Sequence, residues 1–183
     1  MIMPSAPNTR CNEFNARVTR AVTRTVCQAV FGVVLGLLVV APGAKAEEQV
    51  FIERDMFVLD LIQNVEWLRC SLGQVWDGET CQGEVMKLNH DEIAQAILQA
   101  NEQLGGAWRL PTSGELKNIV CKSCNPPKID LQIFPATSAE PYWTGEANPH
   151  RKPNIYSINF YTGHKYGNFF PYQRLAVRLV RDR

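Results

Sequence analysis

Two helix-start signatures set close together constrain this chain more than any other feature. Asn89 is followed three positions on by Glu92, and Thr112 by Glu115. Each pair has the form of a capping box, in which side chain and backbone satisfy one another at a helix N-terminus. After the first, Ile93, Ala96, Ile97, Ala100 and Leu104 fall on one face at the i, i+3, i+4 spacing. Gly105 and Gly106 supply a left-handed stop. Asp91 and Glu92 suit the positive end of that helix. The second signature opens a shorter helix, Thr112 to Val120, with Leu116, Ile119 and Val120 facing inward. Between the two, Trp108-Arg109-Leu110 is extended and half apolar, and Pro111 ends it. Isolated helices this short are marginal in water, so both need a core to pack on.

The remaining segments read as strands and turns. Phe57 to Cys70 suggests two short strands around a turn at Gln63-Asn64, and Glu84 to Leu88 another extended piece. Ile129 to Pro135 is a loop with apolar anchors. Pro141 to Gly145 is a strand, and Ile155 to Gly167 a hairpin with Thr162-Gly163 near its tip. Leu175 to Arg181 is the last strand, where Val177 and Leu179 alternate with Arg178 and Val180. Trp143 and Phe160 are expected inside. Helices followed by hairpins indicate an α+β fold rather than an alternating parallel one. No internal repeat, low-complexity tract or linker interrupts it.

The first 46 residues have the three parts of a secretory signal peptide. Arg10, Arg17, Arg20 and Arg24 are basic, Ala29 to Ala41 is apolar, and Ala44-Lys45-Ala46 offers small residues for cleavage. The apolar run is shorter than the roughly 20 residues a spanning helix needs. The expectation is a signal peptide at 1–46 and one domain at 47–183, in the periplasm or secreted, with no integral membrane anchor after cleavage. The chain has 19 Lys+Arg and 18 Asp+Glu. Five of those bases but only one acid lie in the leader, so the remainder is mildly acidic and carries no basic footprint for nucleic acid. Cys11 and Cys27 leave with the leader. Cys70, Cys81, Cys121 and Cys124 remain, which fits an oxidising compartment. Four cysteines allow three pairings; Cys70 with Cys81 and Cys121 with Cys124 is favoured, and bridges from early to late cysteines stay open.

Several motifs in order complete the picture: Trp67 to Cys70, Cys81 to Gly83, Trp108 to Thr112 with Glu115-Leu116, Phe134-Pro135, Tyr142-Trp143, Phe160 with Gly163, and Val177 to Arg181. Together they resemble the Lcl C-terminal domain family, a bacterial secreted family. That family is similar in fold to C-type-lectin-like domains, a relation shared with formylglycine-generating enzymes. The resemblance implies two helices packed on a small, twisted, mostly antiparallel sheet with long loops, disulfide-stapled, with first and last strands near each other.

Candidate chemistry is sparse. The Cys121-Lys122-Ser123-Cys124 motif lies at the negative end of a helix, which disfavours a reactive thiolate, so a structural bridge is expected. Zinc would need two further ligands at metal spacing, and none is present. His90, His150 and His164 are widely spaced, and no nucleophile elbow or phosphate loop occurs. The cysteines used by formylglycine-generating enzymes have no clear match. Glu140-Pro141 is similar to the Glu-Pro pair of calcium-dependent lectins, but Tyr142 stands where they carry Asn, and calcium needs six to eight oxygens. No catalytic residue, metal or cofactor is therefore expected. The late segment Tyr142 to Arg174 is rich in aromatic rings with polar neighbours, which suits a sugar or protein surface. Glu140, His150, Arg151, Tyr161, His164 and Lys165 are the candidate ligand-binding residues. Trp108, Arg109, Pro111, Thr112 and Glu115 read as structural, the alternative being ligand or acid–base roles for Arg109 and Glu115. These features suggest an exported non-catalytic module that binds a glycan or an envelope protein. A periplasmic enzyme and a structural envelope subunit are the alternatives.

Overall fold

The computed structural model describes residues 50–183. The leader, the boundary after Ala46, Cys11 and Cys27 lie outside the described residues. Among the described residues the order is β1 (Phe51–Arg54), β2 (Phe57–Asp60), β3 (Val65–Leu68), β4 (Val75–Trp76), β5 (Cys81–Gln82), β6 (Lys87–Leu88), α1 (His90–Leu104), α2 (Ser113–Asn118), β7 (Pro141–Ala147), β8 (Ile155–Asn159), β9 (His164–Phe169), β10 (Leu175–Ala176) and β11 (Val180–Asp182).

Both capping boxes form. The Glu92 N–H donates to Asn89 Oδ1 and the Asn89 N–H to Glu92, each at 3.0 Å. The Thr112 N–H reaches Glu115 Oε2 at 2.7 Å, and the Glu115 N–H reaches Thr112 Oγ1 at 3.1 Å. Gly105 ends α1 at φ 67°, the left-handed region that glycine adopts without a Cβ penalty. The second helix stops at Asn118, earlier than expected, because Val120 leaves it to bridge Ile129. Leu116, Ile119 and Val120 are nonetheless buried.

Instead of one sheet there are two, in the orders β1-β2-β3-β11 and β6-β10-β7-β8-β9, plus the ribbon β4-β5. Pairing is antiparallel except between β10 and β7. The expected last strand explains the division. Its first residues pair with β6 and β7, and its last with β3. Between them the Leu68 N–H donates to Leu179 O, and the Leu72 N–H to Val177 O. The alternation predicted there is present, but both faces are buried. Val177 and Leu179 join a core with Trp108, Trp143 and Ile93. Ala176 and Val180 join a second core with Trp67, Phe134, Tyr142 and Phe160. The last strand lies in the same sheet as β1, with β2 and β3 between them. The strand β1 is not anticipated from the sequence, because Ile52, Glu53 and Arg54 are exposed and the last two carry charge.

Arg178 lies on the face shared by Ala176 and Val180 and is completely buried. Among the described residues no carboxylate meets it. Its guanidinium donates to Leu68 O, Arg69 O, Ser71 Oγ and Thr137 Oγ1, and lies 4.8 Å from the Phe134 ring centre. Burial pushes its pKa down to about 10, with the Tyr142 phenol acting the other way.

The Trp108–Thr112 junction ties elements together. The Trp108 indole N–H donates to Gly105 O at 3.0 Å. Arg109 and Val180 exchange both backbone hydrogen bonds, at 2.8 and 3.0 Å. Pro111 O accepts the Gly145 N–H at 2.8 Å, where the β7–β8 register shifts. Any side chain at Gly145 would crowd Leu110 Cβ, 3.3 Å from the added carbon.

Candidate functional site

Hydrogen bonds and ion pairs settle the junction side chains first. Arg109 grips Glu115 with both terminal nitrogens, at 2.9 and 2.7 Å, and reaches Asp182 at 2.5 Å. Burial pushes the Glu115 carboxyl up, but the Arg109 hydrogen bond, the Thr112 N–H and the Arg109 charge outweigh it and hold it below its ordinary value. The Arg109 guanidinium is raised in turn, chiefly by its hydrogen bond to Glu115. With both terminal nitrogens of Arg109 and both oxygens of Glu115 engaged inside the fold, the pair ties α2 to β11.

The candidate ligand residues fall at two ends of one hairpin. Tyr161, exposed at 60 %, and His164 sit at the β8–β9 tip, next to Glu140, whose carbonyl accepts the Phe160 N–H. Glu140 is occupied by Lys87 at 2.5 Å and by the Ser138 hydroxyl at 2.6 Å. His150 and Arg151 lie in the β7–β8 loop, at the other end of β8 and β9. Six extended residues separate those ends by roughly 20 Å. Lys165 points to neither: its Nζ is 3.2 Å from Ser113 Oγ and 3.8 Å from the Tyr156 ring centre. Ser113 in turn donates to Glu146. These six residues therefore do not form one site.

The structure instead singles out the turn after β9. Phe170 and Tyr172 stack with ring centres 5.4 Å apart and planes 9° from parallel. Tyr172 is 72 % exposed and Phe170 38 %. Pro171 fixes the chain between them. Gln173 closes the turn twice, its side chain accepting the Phe170 N–H at 2.7 Å and its own N–H reaching Phe170 O at 2.9 Å. The turn is fastened to α1 by the His90 N–H on Pro171 O and by an Arg174–Glu92 ion pair. Beneath it the His90 ring meets the Trp143 ring edge-on at 4.7 Å, and its Nε2 is buried with no partner among the described residues. Burial lowers the His90 pKa, and the Asp91 charge only partly opposes this. The signal for this platform lies in Phe170-Pro171-Tyr172, two rings around a proline just past the end of β9, whose last residue, Phe169, packs on the core against Trp143.

Two concave regions accompany it. A mostly apolar cleft of about 480 Å³ runs between α1 and the Cys70–Cys81 loop, lined by Met56, Leu72, Met86 and Leu104. A second, of about 590 Å³, lies beside Cys121, Lys117 and Asp130. The bonded cysteines are Cys70 with Cys81 and Cys121 with Cys124, the favoured pairing. Among the described residues no group of three or more His, Cys, Asp or Glu could hold a metal ion, and no helix is long and apolar enough to cross a membrane.

The class so defined is an α+β domain of two antiparallel-dominated sheets and two capped helices, fastened by two disulfides. The chain belongs to the Lcl C-terminal domain family, whose model matches residues 56–181. Comparison with curated proteins and with solved structures gave no significant match.

Proposed function

We propose that this is an exported, non-catalytic binding module of C-type-lectin-like architecture that takes a carbohydrate on the Phe170–Tyr172 platform. The observation that carries the reading is a pair of parallel, solvent-exposed rings in a turn closed by Gln173. Adjacent exposed rings held in a fixed turn offer an apolar face of the kind that marks ligand contacts. The C–H face of a pyranose matches a ring face, and its hydroxyls need polar groups at the rim. Arg174, Glu92 and Gln173 stand there. Two helices beside antiparallel sheets and long loops support the lectin-like architecture. The leader and the two disulfides support export to an oxidising compartment. N-terminal sequencing should find a start near Glu47; a protein still starting near Met1 refutes that part.

A glycan array probed with the oxidised protein tests the platform. Reproducible hits should disappear in Tyr172→Ala and Phe170→Ala and persist in Lys165→Ala and in chelator. A blank array, or hits indifferent to both ring substitutions, refutes the carbohydrate platform and directs the search to a protein partner.

A further inference from the structure

The two disulfides are not equivalent. Cys70–Cys81 spans eleven positions and fastens the end of β3 to β5. Cys121–Cys124 spans three, and so restrains the unfolded chain less. The fold around the short bridge is held without it. Val120 pairs with Ile129, the Cys121 N–H donates to Lys128 O at 3.0 Å, and the Lys128 N–H donates to Phe160 O at 2.6 Å. Opening the S–S bond therefore detaches no part of the core.

Access and charge also distinguish it. Cys121 and Cys124 are half-buried, whereas Cys70 and Cys81 are buried; within the short bridge, Cys121 lines the open cleft of about 590 Å³ and Cys124 does not. The Cys124 N–H donates to Cys121 Sγ at 3.1 Å, where an amide stabilises a thiolate. The Lys128 ammonium is bound to Cys124 O at 2.8 Å, bringing a cation to the same turn. The negative end of α2, whose C-cap is Ile119, opposes a thiolate here. That helix has only six residues, and the amide and the cation act against it.

We propose that Cys121–Cys124 is a thiol–disulfide exchange site that accepts two electrons from a dithiol, with Cys121 the exchanging sulfur. The proposal does not rest on carbohydrate binding. A thiolate of the incoming dithiol attacks Cys121 Sγ. The new S–S bond forms as the Cys121–Cys124 bond breaks, and the electron pair leaves on Cys124 Sγ, which takes a proton from solvent. The second thiol of the dithiol, deprotonated to solvent, attacks its own mixed-disulfide sulfur. That step releases Cys121 as a thiolate, held by the Cys124 N–H. The dithiol is oxidised to a disulfide and the Cys121–Cys124 pair is reduced.

The test incubates oxidised protein with graded dithiothreitol, alkylates free thiols, assigns them by peptide mass, and records circular dichroism on the same samples. Cys121 and Cys124 should open at reductant concentrations about tenfold below those that open Cys70–Cys81, with the folded signal retained. In reduced protein, the Cys124→Ser variant should form a mixed disulfide with glutathione disulfide about tenfold faster than the Cys121→Ser variant. If both bridges open together, only as the folded signal is lost, or if the two variants react at equal rates, the proposal is overturned.

Discussion

Replacing Arg178 by Met tests whether a buried cation without a carboxylate partner holds the two cores together. Met keeps most of the side-chain length and removes the donors. Two backbone carbonyls, of Leu68 and Arg69, then lose a charged donor in a buried site. A buried acceptor left without its partner costs about 1–3 kcal/mol. The Ser71 and Thr137 hydroxyls lose less, because each has a second partner, in Tyr142 Oη and Phe134 O respectively. Relief of the desolvation that pushes Arg178 down offsets part of the loss. The net expectation is a loss of about 2–4 kcal/mol. Arg178→Ala adds a cavity and should lose about 2 kcal/mol more. Urea titration followed by tryptophan fluorescence measures both, since Trp67 and Trp143 lie in the cores concerned. If Arg178→Met is within about 0.5 kcal/mol of the native protein or exceeds it, the carbonyls are satisfied without the guanidinium and the reasoning fails.

Other perturbations give separate readouts. Gly73→Ala, at φ 92°, would place a Cβ 2.6 Å from Glu84 O and 2.7 Å from Met86 N, so urea titration should show a loss of about 2–4 kcal/mol. Cys70→Ser combined with Cys81→Ser should cost about 3 kcal/mol in the same assay, from freedom restored to the unfolded chain. The Glu115 carboxyl binds its proton more weakly folded than unfolded, so its contribution is present above the ordinary value of 4.5 and is lost as pH falls through the depressed value. Glu115→Gln should be less stable at neutral pH and lose less than the native protein on acidification below 4.5. His90 has the same sign from a higher start, resisting protonation as pH drops below 6.5. His90→Gln should flatten the upper part of the acid limb in a series of thermal melts.

Local chemistry made much of the fold legible. The capped helix starts, the hairpin tip at Gly163 and the burial of Trp143 and Phe160 follow from side chains acting on their own neighbourhood. What stayed hidden depends on distant partners. In sequence Arg178 is only one half of a strand alternation; its burial depends on Thr137, Ser71 and the carbonyls of Leu68 and Arg69, which close over it. The strand that contains it reads as one element, because period-two alternation does not say whether one face or both will be covered. Apart from Glu140, the candidate ligand residues share one polar, ring-rich segment, and a hairpin sends such residues to opposite ends. Phe170 and Tyr172 belong to that same segment, but their parallel stacking comes from a turn that Gln173 closes.

The shared β10–β11 segment also bears on when this chain can fold. Neither sheet is complete until Leu175–Asp182 arrives, and β3, which it meets, is separated from it by most of the domain. Closing such long loops is slow, and the earlier strands present open edges meanwhile. A nascent chain emerging as far as Arg174 thus holds helices and a hairpin but no finished core. Until that segment is made, the edges of both sheets stay open to pairing with other chains.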